Sequence, residues 1–329
     1  MKFIHVGLGE FGRSWLKEVL PQIAEVEVVG IVDKRPDART LLDTTVPGYE
    51  TVPIYSDIDL ALDALKVDFV LNSTPPKAHR DVDVACLNRG VPVLSEKPVA
   101  ETYAQGKEVM ELAQRTGVPL MIAENYRFYR IMRKAAELVA QGAIGKLTMI
   151  NMDFFHRHHM QNYHMELLHP LLLDVSVHHL DSILFIAGAE ATKVYARGWT
   201  PEGSWYNGYS NIELLFELAN GVRVNYRGSL YAFGEYTDWV GDWLIEGDKG
   251  YIRMKEGLLS VTTAEGTQEY HLPETHDSRI DVMKEFVSSL REKRPGETAI
   301  DVNMRAYKLV QTAAASIEAD KPILLKDWE

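Results

Sequence analysis

The predicted fold depends most on the stretch KFIHVGLGEFG, which occupies residues 2–12. A mostly apolar run comes first, as in a buried strand, and a helical pattern follows the glycines. Glycines suit this turn because the backbone bends sharply, approaches a pyrophosphate and lets the helix pack on the strand, while helix N-terminal amides hold the anion. The candidate dinucleotide-binding residues here are Gly7, Leu8, Gly9, Glu10, Phe11 and Gly12.

An acidic residue, Asp33, ends the second strand-like run, about 20 residues after the last glycine. A carboxylate at this place accepts hydrogen bonds from an adenosine ribose and repels a 2′-phosphate, which favours NAD. Lys34 and Arg35 follow directly and offer positive charge to such a phosphate, so NADP stays open. The alternative is a glycine turn that binds nothing, with Asp33 solvated at the end of its strand.

The first third of the chain alternates strand-like and helical patterns. Strands are expected at residues 2–7, 27–33, 67–73, 91–95 and 118–123, and helices at 10–20, 57–65, 78–88 and 102–115. The strand-like runs are nearly continuous in apolar residues, as strands buried on both faces are. This alternation predicts an α/β domain over residues 1–123, a Rossmann-type doubly wound parallel sheet.

The pattern changes after residue 123. Helices are expected at 128–141, 172–187, 278–291 and 302–319, and strands at 146–155, 193–198, 211–218, 222–233, 242–246, 251–255 and 258–263. Glycine-containing turns separate several of these strands, which indicates antiparallel pairing. Residues 124–329 are therefore predicted to form an α+β domain for substrate binding and oligomerisation, with a large, mostly antiparallel open sheet.

The composition limits the classes of protein to which this chain can belong. With 46% hydrophobic and 25% charged residues over 329 positions, the chain is expected to fold throughout, as two domains. Its formal net charge of −12 repels phosphate backbones and anionic membranes, so neither nucleic acid nor a membrane is an expected partner. The single Cys86 forms no intramolecular disulfide, which fits a cytoplasmic location. No signal peptide is expected, because a strand-like run begins at Lys2.

Five further motifs follow the glycine turn in the order and spacing of one known family. They are DFVLNSTPP at 68–76 followed by His79, EKP at 96–98, NYRF at 125–128, GAIGK at 142–146 and LDVSVHHLD at 173–181. Over residues 1 to about 190 the chain therefore resembles the glucose-fructose oxidoreductase and inositol dehydrogenase (Gfo/Idh/MocA) family. Ser176 departs from the glycine that is common in that family.

The resemblance implies a nucleotide-binding domain followed by an α+β domain whose open sheet often forms oligomer contacts. It also implies hydride transfer between a nicotinamide and a secondary alcohol of a sugar, cyclitol or related polyol, with Lys97, Asp174 and His178 as the catalytic residues. Further cofactor-binding positions are expected at Ser73, Thr74, Pro75, His79, Glu96, Lys97 and Asn125. Expected substrate contacts lie at Lys97, Tyr126, Arg127, His156, His158, Asp174 and His178.

The residue types of the catalytic set suit an alcohol oxidation in their own right. Lys97 lies just beyond the carboxyl end of a predicted parallel strand, where its ammonium can polarise a carbonyl or stabilise an alkoxide. Asp174 and His178 are four residues apart on a predicted helix, so the carboxylate can orient the imidazole that takes the proton. The alternatives are a surface lysine, a buried and mutually satisfied Asp–His pair, and for His79 a helix cap.

Seven of the eleven histidines lie between residues 156 and 179. His156 and His158 share one face of a predicted strand, and His164 or His169 offers a third ligand for a metal. No HExxH pattern and no further cysteine support a metal, so none is expected. We expect instead that part of this segment, with Arg157 or His158, contacts substrate hydroxyl or carboxylate groups; a polar surface loop is the alternative.

Aromatic residues crowd the sheet-rich half of the chain. At alternate strand positions such residues pack a core or a sheet-face interface more often than they stack on sugar rings. We therefore expect a homodimer or homotetramer that forms through this sheet. The tryptophans concerned are Trp199, Trp205, Trp239 and Trp243.

Three functions are consistent with these features. The leading one is an NAD(P)-dependent sugar or polyol dehydrogenase. The second is a glycosidase that retains its NAD and oxidises its substrate transiently, so that a neighbouring proton becomes acidic and elimination follows. The third is a sensor in which dinucleotide or sugar binding controls a protein partner. The intact Lys97, Asp174 and His178 argue against a sensor, because a sensor needs no base.

Overall fold

The computed structural model describes residues 1–160 and 162–328, and for Asn162 and Tyr163 it describes the backbone only. The chain forms two compact units. Unit 1 consists of Met1–Asn125 and His276–Met304, and unit 2 of Tyr126–Thr275 and Arg305–Glu329. The sequence prediction divides the chain once, at residue 123, whereas the chain returns to unit 1 near its end.

Unit 1 is built on a six-stranded parallel sheet. Its strands are β1 (Lys2–Val6), β2 (Glu27–Val32), β3 (Ile54–Tyr55), β4 (Phe69–Asn72), β5 (Val93–Ser95) and β6 (Leu120–Ile122). They lie in the order β3-β2-β1-β4-β5-β6, and every neighbouring pair is parallel. β4 and β5 are buried at every position, which explains why all of their residues except the last are apolar. The expected doubly wound parallel sheet is confirmed.

The α-helices carry local signals that set their ends. They are α1 (Glu10–Ser14), α2 (Ala38–Thr45), α3 (Ile58–Ala64), α4 (Pro76–Asn88), α5 (Tyr103–Thr116), α6 (Arg130–Ala140), α7 (Val177–Ala187), α8 (Arg279–Glu292) and α9 (Ile300–Ala319). α5 begins with a capping box between Thr102 and Gln105 and ends at Gly117, whose φ is +68°. α1 continues into a π-helical turn (Trp15–Val19) and a 3₁₀ turn (Leu20–Gln22), where the sequence predicts one continuous helix.

Unit 2 is built on a nine-stranded sheet. Its strands are β7 (Leu147–Phe155), β8 (Ala191–Trp199), β9 (Asn211–Leu218), β10 (Arg223–Ser229), β11 (Asp242–Gly247), β12 (Gly250–Lys255), β13 (Leu258–Thr263), β14 (Gly266–His271) and β15 (Ile323–Leu324). They lie in the order β14-β13-β12-β11-β7-β10-β9-β8-β15, and within this sheet only β7 and β10 pair in parallel. The expected mostly antiparallel sheet is confirmed.

One face of the nine-stranded sheet forms the core of unit 2. Along β7 the side chains of Ile150, Met152 and Phe154 are buried, and the residues between them are partly exposed. β9 alternates in the same way, and its Leu215 is 55% exposed on the opposite face. This alternation follows from the two-residue period of a strand, which sends successive side chains to opposite faces.

The returning segment of residues 276–304 extends the core of unit 1. The Ile122 amide at the end of β6 donates to the Thr298 carbonyl oxygen over 2.9 Å, and the Thr298 hydroxyl donates back to the Ile122 carbonyl. On α8, Phe286 packs edge-on against Phe69 of β4, with ring centroids 5.3 Å apart. These contacts explain why the segment belongs to unit 1 although β7–β14 precede it in the sequence.

Candidate active site

The glycine turn has the packing that a dinucleotide site requires. Gly7 has a φ of +98°, and an added Cβ there would lie 2.8 Å from the Ser73 carbonyl oxygen. A Cβ on Gly12 would clash with the Gly7 carbonyl oxygen, so helix and strand pack closely. At Gly9 an added Cβ would meet no atom within 4 Å, which leaves room for a pyrophosphate to approach the backbone. The residues present therefore fit NAD.

Asp33 accepts four hydrogen bonds, one from the glycine turn and three from Arg35. Its Oδ2 accepts from the Leu8 amide over 2.7 Å and from Arg35 Nη2 over 2.8 Å, and its Oδ1 accepts from the Arg35 amide and Nε. Burial opposes the charged form of the half-buried carboxyl, but these donors win and hold its pKa below the ordinary value. Arg35 therefore sits beside the predicted ribose acceptor, and Lys34 is exposed.

The loops after β4 and β5 are joined by buried hydrogen bonds. The Ser73 hydroxyl donates to the Val6 carbonyl oxygen over 2.8 Å, and the Thr74 hydroxyl donates to Asn72 Oδ1 over 2.7 Å. The His79 ring is completely buried, with Nδ1 2.7 Å from the Pro98 carbonyl oxygen and Nε2 2.6 Å from that of Thr74.

The His79 ring has no exposed surface, and it joins the loops after β4 and β5 through the Thr74 and Pro98 carbonyl oxygens. Its predicted contact with the cofactor stays a prediction. Burial lowers its pKa, and the hydrogen bonds to the two carbonyl oxygens act in the opposite direction. The ring contacts the backbone just before α4, where the helix-capping alternative places it. Asn125 donates through its side-chain amide to the Ser278 hydroxyl over 2.8 Å and is half-buried.

Lys97 follows β5 and precedes a cis peptide bond to Pro98. Its side chain is partly exposed, whereas the preceding Glu96 is buried. Glu96 accepts a hydrogen bond from Trp15 Nε1 over 2.7 Å, and burial raises its pKa to about 7. Glu96 therefore holds the loop through its buried hydrogen bond to Trp15. Lys97 is the accessible charged group of the EKP motif.

The second predicted cluster lies on a π-helical turn (Leu172–Ser176) that leads into α7. The sequence predicts a continuous α-helix over 172–187, and the structure differs from this prediction in the π-helical turn. Such turns are found often at functional sites. Asp174 lies in this turn and is partly exposed, and His178 follows in the first turn of α7. The His178 ring is nearly buried and stacks on Tyr126, with centroids 4.3 Å apart and planes at 9°.

His164 contacts Asp174, and the sequence prediction does not include this residue in the site. Its Nε2 lies 3.3 Å from Asp174 Oδ1, and each side chain is 23% exposed. The signal that could have indicated such a residue is the density of histidines between residues 156 and 179. No spacing rule singles out His164 among them, because it lies outside any regular strand or α-helix.

Arg127 forms a buried ion pair. Its guanidinium donates twice to the Asp181 carboxylate of α7, over 2.8 Å from Nε and 2.6 Å from Nη2. Both side chains are buried, and the guanidinium also lies 5.0 Å from the Phe185 ring centroid. A buried, bidentate pair of this kind holds α7 in place. The predicted contact of Arg127 with substrate stays a prediction.

His156 and His158 belong to an aromatic cluster at the end of β7. The His156 ring stacks on Trp239 with centroids 4.6 Å apart, and burial lowers its pKa. His158 is exposed and meets the edge of the Trp239 ring at 5.2 Å. His158 is thus open to a ligand, whereas His156 is half-buried within the stack.

His179, the neighbour of His178, belongs to a buried hydrogen-bond network. Its Nε2 donates to the Trp239 carbonyl oxygen over 2.9 Å, and its Nδ1 lies 3.1 Å from the Tyr226 hydroxyl. The same hydroxyl lies 2.7 Å from the Ser176 hydroxyl. Burial lowers the pKa of His179 to about 3, so the ring is neutral and accepts from Tyr226. Ser176, the departure from the family pattern, is therefore bound to β10.

Two features are absent from the described residues, 1–160 and 162–328: a cluster of metal ligands and a membrane-spanning helix. Within these ranges, no group of three or more His, Cys, Asp or Glu side chains is placed to hold a metal ion. Within the same ranges, no helix combines the length and the apolar character needed to cross a membrane.

Two family models match the chain over most of its length. Residues 1–124 match the oxidoreductase family with an NAD-binding Rossmann fold, and residues 132–253 match the GFO/IDH/MocA C-terminal domain. The chain belongs to the GFO/IDH/MocA oxidoreductase family. The NAD-binding domain confirms NAD as the cofactor, in agreement with the packing of the glycine turn.

Relatives of this GFO/IDH/MocA chain include characterised dehydrogenases. Myo-inositol 2-dehydrogenase of Thermotoga maritima is 23% identical over 98% of both chains, and D-apiose dehydrogenase of Paraburkholderia graminis is 23% identical over 98% of this chain and 89% of its own. A solved oxidoreductase of Agrobacterium radiobacter, in complex with NAD⁺, L-tartaric acid and magnesium, has a TM-score of 0.92 at 20% identity. It covers 100% of this chain and 99% of its own, which confirms the fold.

Proposed function

We propose that this oxidoreductase is an NAD-dependent dehydrogenase that acts on a secondary alcohol of a sugar, cyclitol or related polyol. The observation that carries the proposal is a partly exposed Asp174 in the π-helical turn that leads into α7, where the His178 ring stacks on Tyr126. An alcohol oxidation needs a base that titrates near neutral pH, and histidine is that residue. The inositol and apiose dehydrogenases among the relatives support this substrate class.

The proposed reaction assigns one role to each residue. NAD, when bound, supplies the hydride acceptor. A ring nitrogen of His178 takes the hydroxyl proton, and the stacked Tyr126 fixes the plane of the ring. Asp174 orients the substrate or the base through its carboxylate. The ammonium of Lys97 stabilises the negative charge that develops on the substrate oxygen.

A panel of inositols, aldoses, sugar acids and simple glycosides tests the proposal, with nicotinamide absorbance as the readout and NAD and NADP run separately. We expect turnover of a free polyol or sugar that falls about 10²- to 10³-fold in Lys97→Ala, because the developing charge loses its partner. Lys107→Ala is the matched control, since Lys107 is an exposed lysine of α5. Tight NAD binding without net turnover of any compound would favour the NAD-retaining glycosidase or the sensor.

We also propose that the enzyme self-associates through the exposed face of the nine-stranded sheet. Four large apolar side chains on strands of this sheet are well exposed, namely Leu215 at 55%, Trp199 and Leu324 at 41% and Tyr251 at 38%. A large contiguous apolar patch on a surface marks an interaction site.

A further inference from the structure

We propose that His164 is a positioning residue, which fixes the carboxylate of Asp174 for the reaction. The inference rests on the proposed function for its catalytic consequence, whereas the contact itself is independent of any substrate. A carboxylate accepts hydrogen bonds and donates none, so the hydrogen of the 3.3 Å contact belongs to His164 Nε2. The bond selects the ring tautomer and one orientation of Asp174.

The position of Asp174 makes such a partner useful. Asp174 lies in a π-helical turn and not in a regular α-helix, so its side chain leaves the backbone where the helix changes geometry. Its carboxyl is 23% exposed, and a hydrogen bond to a partly exposed side chain reduces the number of rotamers that the side chain populates. Misplacement by about 1 Å costs about 10²-fold in rate, so a hydrogen bond that selects one rotamer has a measurable effect.

The backbone on both sides of His164 is held by the segment that precedes β9. The Tyr206 hydroxyl donates to the His158 carbonyl oxygen over 2.5 Å and accepts from the Met160 amide over 3.1 Å. After His164, the Tyr209 amide donates to the Leu168 carbonyl oxygen over 2.7 Å. These bonds hold the backbone at Met160 and at Leu168, on either side of the 3₁₀ turn (Asn162–Glu166) that carries His164.

Close approach of Gly208 strengthens the same anchor. A Cβ on Gly208 would clash with the carbonyl oxygens of Leu167 and Leu168, so the two segments touch through their backbones. The neighbouring histidine in the loop has a different partner, because the His159 ring packs on Trp205 with centroids 4.9 Å apart. His159 is therefore a matched control for removal of a histidine from this loop.

The first experiment measures kcat, KM and NAD affinity for His164→Ala, His164→Asn and His159→Ala. We expect His164→Ala to lower kcat about 10-fold or more while the Kd for NAD, measured by fluorescence, stays unchanged. His164→Asn restores part of the rate, because its amide can donate to Asp174. His159→Ala keeps the wild-type kcat. Equal losses in His159→Ala and His164→Ala, or an unchanged kcat in His164→Ala, would overturn the proposal.

A double-mutant cycle with Asp174→Asn separates positioning from a general effect on the fold. If His164 acts through Asp174, the double variant loses no more activity than Asp174→Asn alone. Additive losses contradict the proposal. Circular dichroism and thermal unfolding of each variant show whether the fold is intact.

A third measurement tests the contact without any substrate. The proton NMR signal of the His164 ring, assigned by its loss in His164→Ala, should titrate at lower pH in Asp174→Asn than in the wild type, because the variant lacks the anionic partner. An unchanged titration contradicts the contact whatever the substrate proves to be. A shifted titration in an enzyme that turns over no polyol would retain the contact and reject the proposed function.

Discussion

Arg35 forms an ion pair with Asp33, the carboxyl that directly follows β2. Asp33 alone would repel a 2′-phosphate, but the guanidinium beside it compensates its charge and is partly exposed. The same guanidinium can turn to a phosphate when one is present. The pair is therefore compatible with NADP as well as NAD. The negative charge of Asp33 favours NAD, and the positive charge of Arg35 favours NADP.

We predict that Arg35→Ala raises the Kd for NADP relative to that for NAD by about 10-fold or more, or about 1.4 kcal/mol, because Asp33 is left uncompensated. Fluorescence titration with each dinucleotide measures this ratio. Lys34→Ala, which removes the adjacent exposed charge, is the control and should change the ratio less. A ratio that is the same in wild type and Arg35→Ala would show that Arg35 takes no part in the choice.

Asp83 is a fully buried carboxyl on α4, 2.8 Å from Asn72 Nδ2, and burial raises its pKa to about 7. Between its unfolded pKa and about 7 the folded state binds the extra proton, so the free energy of unfolding falls as pH rises through this window. Asp83→Asn removes this titration. From about pH 4 to about pH 8, the wild type should lose up to about 4 kcal/mol more than the variant.

Urea unfolding at several pH values measures the difference. Asp81→Asn is the control, because Asp81 lies on the same helix with a side chain that is 77% exposed, and its unfolding should follow the wild type. Parallel stability curves for Asp83→Asn and the wild type would mean that Asp83 is ionised in the folded protein.

The candidate site could be predicted only where its signal is local. The glycine turn and Asp33 are set by the spacing of one strand and one helix, and the structure places them together. The pairing of Arg127 with Asp181 could not be predicted, because the two residues lie 54 positions apart in the chain. His164 and Asp174 lie only ten positions apart, but His164 is in a 3₁₀ turn (Asn162–Glu166), and no repeating pattern brings that turn to Asp174.

At the scale of elements, Tyr226 ties the π-helical turn and α7 to β10. Its buried hydroxyl lies between the Ser176 hydroxyl and His179 Nδ1. Removal of this hydroxyl leaves two buried polar groups without their partner, and each such loss costs about 1–3 kcal/mol.

We therefore expect Tyr226→Phe to lower the free energy of unfolding by about 2–6 kcal/mol in urea. Tyr195→Phe is the control, because that hydroxyl bonds the exposed Asp320 carboxylate, and it should cost less than about 0.5 kcal/mol. Similar losses in both variants would contradict a special role for the buried hydroxyl.

Elements with a strong internal pattern were predicted, and those without one were not. The strands β1, β2, β4, β5 and β6 have short apolar runs that are bounded by turn signals, and their length favours strands over helices. β14 was missed because nearly all of its positions are exposed, so its sequence lacks alternation. β3 and β15 have two residues each, too few for any period. The π-helical turns were missed because one inserted residue barely changes a helical pattern.

At the scale of the whole molecule, the exposed sheet face predicts the oligomeric state. Leu215→Glu places a charge in the proposed interface and should lower the mass of the particle in light scattering to that of a monomer. Leu60→Glu is the control, because Leu60 of α3 is also 55% exposed. A wild type that is already monomeric, or a Leu215→Glu variant that keeps its assembly, would contradict this interface.

Local sequence patterns did not predict how the chain divides into its two units. Hydrophobic periodicity identifies α8 as a helix but does not say which sheet it joins. That choice depends on the edge-on packing of Phe286 against Phe69 and on the pairing of Thr298 with Ile122.

The late return of residues 276–304 has a consequence for folding during synthesis. The ribosome releases the first 125 residues long before α8 is synthesised. Until then, part of the core of unit 1 stays exposed to solvent. Unit 2, in contrast, receives most of its strands in one stretch. The cofactor-binding half begins first and finishes almost last, so a nascent chain of this enzyme needs protection from aggregation for nearly its entire translation.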